Sequence, residues 1–166
     1  DFILLKPVNS QFWVSTRTIT PWGIPSFFLG ITLIILSISN QESYPGILDF
    51  VISILLLFFS FVILYSIWFI IATTSIWFVK VWNANEVLRS FLVAGRYPIT
   101  AFPPLLRSIL TFVLPVAFMT TIPAQVLLGS YNFKLVFLSF LFALSFFMFS
   151  KYFWSFSMRY YTSASS

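Results

Sequence analysis

The sequence predicts an all-α integral membrane protein with four crossings, and three observations carry that reading. First, of the 166 residues 60% are hydrophobic and only 8% charged. Soluble domains carry roughly 25% charged residues, and a chain this short has too small an interior to hide so much apolar surface from water. Second, four long apolar runs alternate with short polar links. Third, the basic residues fall in alternate links, as they do when Lys and Arg are retained on one side of a membrane.

Residues 1–23 are too polar to cross. Pro7 followed by Asn9 and Ser10 reads as a helix start, with Phe12, Trp13 and Val14 ahead of Arg17. A short cytoplasmic helix is expected there, serving as an interfacial anchor or as a docking element for a soluble partner. The start at Asp1 rather than Met suggests the C-terminal part of a longer chain.

The first crossing is placed at about residues 24–40 and the second at 47–79. About 20 helical residues cross a hydrocarbon core of about 30 Å. The second run would extend roughly 50 Å, and Phe58 to Leu64 offers no polar turn, so it reads as one helix that tilts or projects beyond the bilayer. Its continuation, about residues 76–95, sets Trp77, Val81, Ala84, Leu88 and Phe91 at helical spacing against Lys80, Asn83, Glu86, Arg89 and Ser90. That pattern suits an interfacial helix, stopped by Gly95 and Pro98. The third crossing is placed at about 105–122 and the fourth at 133–150.

Charge sets the orientation. Lys6 and Arg17 precede the first run; Lys80, Arg89 and Arg96 lie in the middle link, with Arg107 just beyond; Lys151 and Arg159 lie in the tail. The links at 41–46 and 123–132 carry no basic residue. Both ends of this segment and the middle link are therefore expected in the cytoplasm, with Lys134 snorkelling from a helix end. Trp22, Tyr44, Trp77, Trp82, Tyr152 and Trp154 fall near the expected interfaces, where amphipathic rings prefer to sit. The net charge of +5 follows from this pattern and does not call for nucleic acid.

Much chemistry is excluded. The chain has no Cys and no His, so it lacks disulfides, thiolate or imidazole metal sites and His acid–base catalysis. Its four acids, Asp1, Glu42, Asp49 and Glu86, form no pair suited to two-carboxylate work, and its five glycines are isolated, so no phosphate-cradling loop is present. No catalytic, cofactor or metal residue is assigned. Any energy source is then a partner or an ion gradient. Asp49 and Arg107 each sit about one turn inside a helix end, which suits an acid at a helix N-terminus and a snorkelling cation. A proton-coupled antiporter is disfavoured, because such carriers place ionisable groups within their membrane helices.

The most telling stretch is Thr111 to Gln125, TFVLPVAFMTTIPAQ, with Pro115 in its middle and Pro123 near its end. Each proline removes a helical hydrogen bond, and in lipid the freed carbonyl must be satisfied by protein or by a water-lined cavity. Two readings remain open: a kink that serves packing, and an element of a transport path. Thr120 and Thr121 lie between the prolines, where a hydroxyl can satisfy a freed carbonyl or line a gate. The other hydroxyls of the runs, among them Thr32, Ser53, Ser60, Ser66, Thr73, Thr74 and Thr111, read as helix-to-helix bonds.

Three segments resemble the ABC-2 family transporter proteins, the permease subunits of ATP-binding-cassette exporters. They are LLKPVNSQF at 4–12, GRYPITAFPPLLRSILTFVLPVAFMTTIPAQVLLG at 95–129, and RYYTSASS at 159–166, the last similar to a bacterial, notably cyanobacterial, branch. The resemblance implies that the four runs are the third to sixth helices of a six-helix permease in the bacterial inner membrane. It implies a cytoplasmic coupling segment at 1–23, with Lys6, Pro7, Asn9, Ser10, Phe12 and Arg17 meeting the ATPase, and a transmembrane domain at 24–166. It implies a second permease subunit (a homodimer or heterodimer) and ABC ATPase subunits that hold ATP and magnesium, while this chain holds no cofactor. Pro115, Thr120, Thr121 and Pro123 would shape a gate or path at the outer ends of the fifth and sixth helices. The cargo would be an amphipathic solute or a lipid, and membrane lipid would be the surrounding partner. A non-transporting structural subunit of a larger complex is the rival reading, and a membrane-embedded enzyme a distant third.

Overall fold

A computed structural model describes residues 10–16, 21–41, 44–74, 86, 89–90, 93–130 and 132–160. Among the described residues every regular element is helical and none is a strand. The chain divides into two compact units, residues 1–45 with 162–166, and residues 46–161.

The first unit holds two helices. Helix α1, Ser10–Thr16, is only seven residues long; the hydroxyls of Ser15 and Thr16 donate to the carbonyls of Gln11 and Phe12 at 2.8 and 3.0 Å. Helix α2, Ile24–Ser39, follows a 3-10 turn at Pro21–Gly23. Pro25 sits in its first turn, where a missing N–H costs nothing. Asn40 ends it, donating its N–H to the carbonyl of Leu36 at 3.2 Å. The stretch Pro21–Ser39 is long and apolar enough to cross a membrane.

The second unit is built on two long helices. Helix α3, Ile47–Thr73, has 27 residues and extends about 40 Å, so it tilts or projects if the hydrocarbon is about 30 Å thick. Its start explains Asp49, whose Oδ2 accepts the Gly46 N–H at 3.0 Å; an acid in the first turn also opposes the helix dipole. The interfacial helix expected at 76–95 lies mostly outside the described residues. Of it, Glu86, Arg89, Ser90, Val93 and Ala94 are helical, with Glu86 and Arg89 forming an exposed ion pair at 3.7 Å.

The third run departs most from expectation. Instead of one helix over 105–122, it forms four pieces: α4, Pro104–Ser108; a π-helical turn, Ile109–Val113; α5, Val116–Met119; and α6, Thr121–Leu127. The fourth run is longer than expected. Helix α7 spans Phe133–Met158 and passes the expected end at residue 150. Hydropathy falls at Lys151, but the residues after it contain no breaker, and backbone hydrogen bonds need no apolar side chain to propagate. Three helices, Pro21–Ser39, α3 and α7, can each cross a membrane, and the bent pair Pro104–Val113 with Val116–Leu127 makes a fourth if it counts as one span.

Helices α3 and α7 run parallel: Phe59 meets Phe140 at 5.6 Å between ring centroids and Phe69 meets Trp154 at 5.1 Å. The buried face of α3 is Ser53, Leu56, Ser60, Ile63, Ser66, Phe69 and Thr73, recurring every three or four residues. The buried face of α7 is Ser139, Ala143, Ser150 and Ser157. Small residues there let the two backbones approach, which matters in lipid, where close packing rather than exclusion from water holds helices together. Leu56, Ile63, Phe118, Ile122, Val126 and Ala143 form the core.

Candidate functional site

The site is the break in the third run, and its prolines dictate it. Pro104 opens α4, where a proline is tolerated. Arg107 then folds back on the preceding turn: its Nη2 donates to the carbonyls of Thr100 and Phe102 at 2.9 and 3.2 Å. At Pro115 the N–H that would bond the carbonyl of Thr111 is missing. The helix widens in response, and the Leu114 N–H reaches back five residues to the carbonyl of Ile109 at 2.9 Å. The Val116 N–H turns tightly onto the carbonyl of Leu114. The two arms, Pro104–Val113 and Val116–Leu127, meet at a bend of 67°.

A second interruption follows at Thr120, with φ −129° and ψ −57°. Pro123 lacks the N–H that would meet the carbonyl of Met119. Helix α6 ends at Leu127, and the chain turns at Gly129, whose φ of 75° is open to glycine at little cost. There the N–H groups of Ser130 and Gly129 close on the carbonyls of Gln125 and Val126 at 2.9 and 3.0 Å, which satisfies the last carbonyls of the helix.

The broken run is pinned to α3 by two serines. Ser53 Oγ donates to the carbonyl of Pro123 at 3.0 Å. Ser60 Oγ lies 2.7 Å from the carbonyl of Leu56 in its own helix and 2.9 Å from that of Phe118, so its single hydrogen is shared between the two. Ser60 is the central residue of α3. The break therefore lies level with the middle of α3, and α6 runs along its N-terminal half. Pro123 lies level with Ser53, about 10 Å along α3 from Ile47, and Pro115 lies farther along the same helix.

Pro115 and Pro123 are both buried, and Thr120 and Thr121 half-buried. Thr120 bonds back to the carbonyl of Val116 in its own turn at 3.2 Å. Thr121 Oγ1 accepts the N–H of Ile99 at 3.3 Å, joining the turn that enters the run to the start of α6. These contacts join Ile99 to Thr121, Ser53 to Pro123 and Ser60 to Phe118, pairs that lie far apart in the sequence. Most other hydroxyls, including Thr32, Ser66, Thr73 and Thr111, bond carbonyls of their own helices. Ser53 and Ser60 had a signal in their spacing: seven residues apart, they share a face with Leu56 and Ile63.

Among the described residues no group of acids, Cys or His could hold a metal, and no buried side-chain polar atom lacks a partner. What the arrangement offers is mechanical: two short arms that meet where the helical ladder is interrupted, one of them held to a continuous helix by shared hydroxyls. Of the six expected coupling residues, Ser10 and Phe12 lie on α1, with Phe12 61% exposed. Lys6, Pro7, Asn9 and Arg17 lie outside the described residues.

No curated protein and no solved structure matches the chain. The sequence model of the family described as ABC-2 family transporter protein matches residues 1–165, nearly the full length. With an all-helical, multi-pass fold and that match, the chain belongs to the ABC-2 family transporter proteins and is a membrane permease of an ABC transporter.

Proposed function

We propose that this permease serves an exporter in the bacterial inner membrane, moving an amphipathic solute or a lipid with energy from ATP. The family associates with ABC ATPase partners. In this reading those partners bind ATP and magnesium, a second permease subunit completes the path, and both ends of this segment face the cytoplasm. The segment around α1 meets the ATPase through Lys6, Pro7, Asn9, Ser10, Phe12 and Arg17.

The observation that carries the reading is the family match over residues 1–165, and the 67° bend of the broken run suits it. A partner can drive a conformational change only by interacting differently with its two states. Closure of the ATPase pair on ATP would move the coupling segment, and the membrane helices would reorient in response. Pro115 provides a bend with no ladder bond to break, while Ser53 and Ser60 keep the α5–α6 arm on α3. Pro115, Thr120, Thr121 and Pro123 then shape the path rather than bind cargo.

The test is co-purification of the intact complex followed by transport in vesicles. The expected result is an ATPase subunit that travels with the permease and ATP-dependent export that fails when Phe12→Ala uncouples them. A complex that inserts normally, carries no ATPase and moves nothing with ATP would establish the non-transporting structural subunit instead.

A further inference from the structure

Helices α3 and α7 leave an apolar groove of about 350 Å³ on the surface of their pair. Phe58, Phe59 and Val62 of α3 form one wall, Phe140, Leu144 and Phe147 of α7 the other, and Ala143 lies between them. The groove exists because Ala143 is small where its neighbours are large. No polar side chain lines it. On α7, Phe140, Leu144 and Phe147 fall at intervals of four and three residues, and the next position of that stripe is Lys151, four residues on. The Lys151 ammonium lies 5.8 Å from the centroid of the Phe147 ring, and its side chain is exposed. Among the described residues no carboxylate pairs with it.

We infer that this groove and Lys151 form a binding site for one anionic phospholipid, with an acyl chain in the groove and the headgroup phosphate on the ammonium. Length supports the assignment. From Phe140 to Lys151 the helix rises about 16 Å, close to half of a hydrocarbon core about 30 Å thick. With Lys151 at the level of the headgroups, a stripe of that length matches the depth of one leaflet. Charge supports it as well. Lys151 has no carboxylate partner among the described residues, and a headgroup phosphate would supply an anionic one. The apolar walls hold a tail without selecting among headgroups, so Lys151 alone supplies the preference for negative charge.

The test measures lipid retention by native mass spectrometry on the intact, delipidated complex, with phosphatidylglycerol and phosphatidylcholine of matched chains as probes. It uses no ATP, so its outcome is independent of whether the complex exports anything. The wild type is expected to prefer phosphatidylglycerol by about fivefold, the worth of one basic residue near a membrane surface. Lys151→Gln should abolish that preference and leave phosphatidylcholine retention unchanged. Leu144→Trp, which fills the groove, should reduce retention of both. Lys134→Gln, a cation at the opposite end of α7, should change neither. Glycerol phosphate, which has the headgroup charge and no tail, should not compete. A preference that survives Lys151→Gln, an equal loss in Lys134→Gln, or competition by glycerol phosphate overturns the proposal. So does a Leu144→Trp variant that loses a permease subunit rather than lipid, because the groove is then a protein contact.

Discussion

Helix α3 and the stretch from Pro104 to Leu127 are close in length and drawn from the same apolar residues, yet one is a single rod and the other is four pieces. The difference lies in three prolines within the broken stretch, at positions 104, 115 and 123, against none in α3. The two are also complementary. The rod keeps its own ladder intact and spends two side-chain hydroxyls on the carbonyls of the broken arm, at Phe118 and Pro123. An interrupted membrane helix is tolerated where neighbouring protein, water or a local π or 3-10 adjustment satisfies the exposed backbone. Here the rod contributes two of those bonds and holds the broken arm in place.

The largest effect is expected where the two elements interlock. Phe118 is 1% exposed and its ring lies 4.8 Å from that of Phe142. Phe118→Ala removes the knob that fills the space between the broken arm, α3 and α7. Deletions of this kind cost about 3–5 kcal/mol in soluble cores, and the lower end is expected here because lipid, unlike water, does not penalise exposed carbon. Unfolding of the purified complex in mixed micelles checks it; a loss below about 1 kcal/mol would mean the arm is not packed on α3 in the membrane.

Next is the bend itself. Pro115→Ala restores a backbone N–H for the carbonyl of Thr111 and removes the ring that forbids a straight helix, a penalty of about 3 kcal/mol in ordinary helices. The straight arrangement gains accordingly, and if export needs the bend, ATP-dependent transport should fall by more than about tenfold. Stability should change far less than in Phe118→Ala. Unchanged transport would make the break a packing feature only and would reduce the contrast between the two elements to shape.

This contrast also shows what could be read from the residues and what could not. The prolines announce the break, because a missing N–H is a property of one residue. The run from Ile47 announces α3 through continuous apolar composition. The site's contacts were not legible in the same way. Ile99 and Thr121 meet only because the chain bends by 67° between them, and nothing local to either residue encodes that approach. Helix α7 passes the end that hydropathy marks, because hydropathy marks where lipid ends, while the helix continues to Met158. Ser139, Ser150 and Ser157 lie on its buried face, and their spacing, visible in the sequence, was hidden by the surrounding phenylalanines.

A pair of serines on α3 gives the finest test. Ser60 and Ser66 are both buried, and both accept the same description by composition. Ser60 shares its hydrogen with the carbonyl of Phe118 across the interface, whereas Ser66 donates to the carbonyl of Val62 in its own helix at 2.7 Å. Ser60→Ala should therefore cost about 1–2 kcal/mol, the value for interhelical bonds in model membrane peptides and the upper end of that in membrane proteins, and should weaken the hold on the broken arm; faster hydrogen exchange in Val116–Leu127 is the local readout.

Ser66→Ala should cost less than about 0.6 kcal/mol, the average for bonds between membrane helices. The carbonyl of Val62 keeps its ladder partner, and no group on another element loses a donor. Exchange in Val116–Leu127 should match the wild type. Equal losses in the two variants would show that burial rather than the cross-helix bond sets the cost, and the rod would then support the broken arm by shape alone. A loss confined to Ser60→Ala would assign the support to the cross-helix bond, because the carbonyl it serves, that of Phe118, lies two residues before the interruption at Thr120.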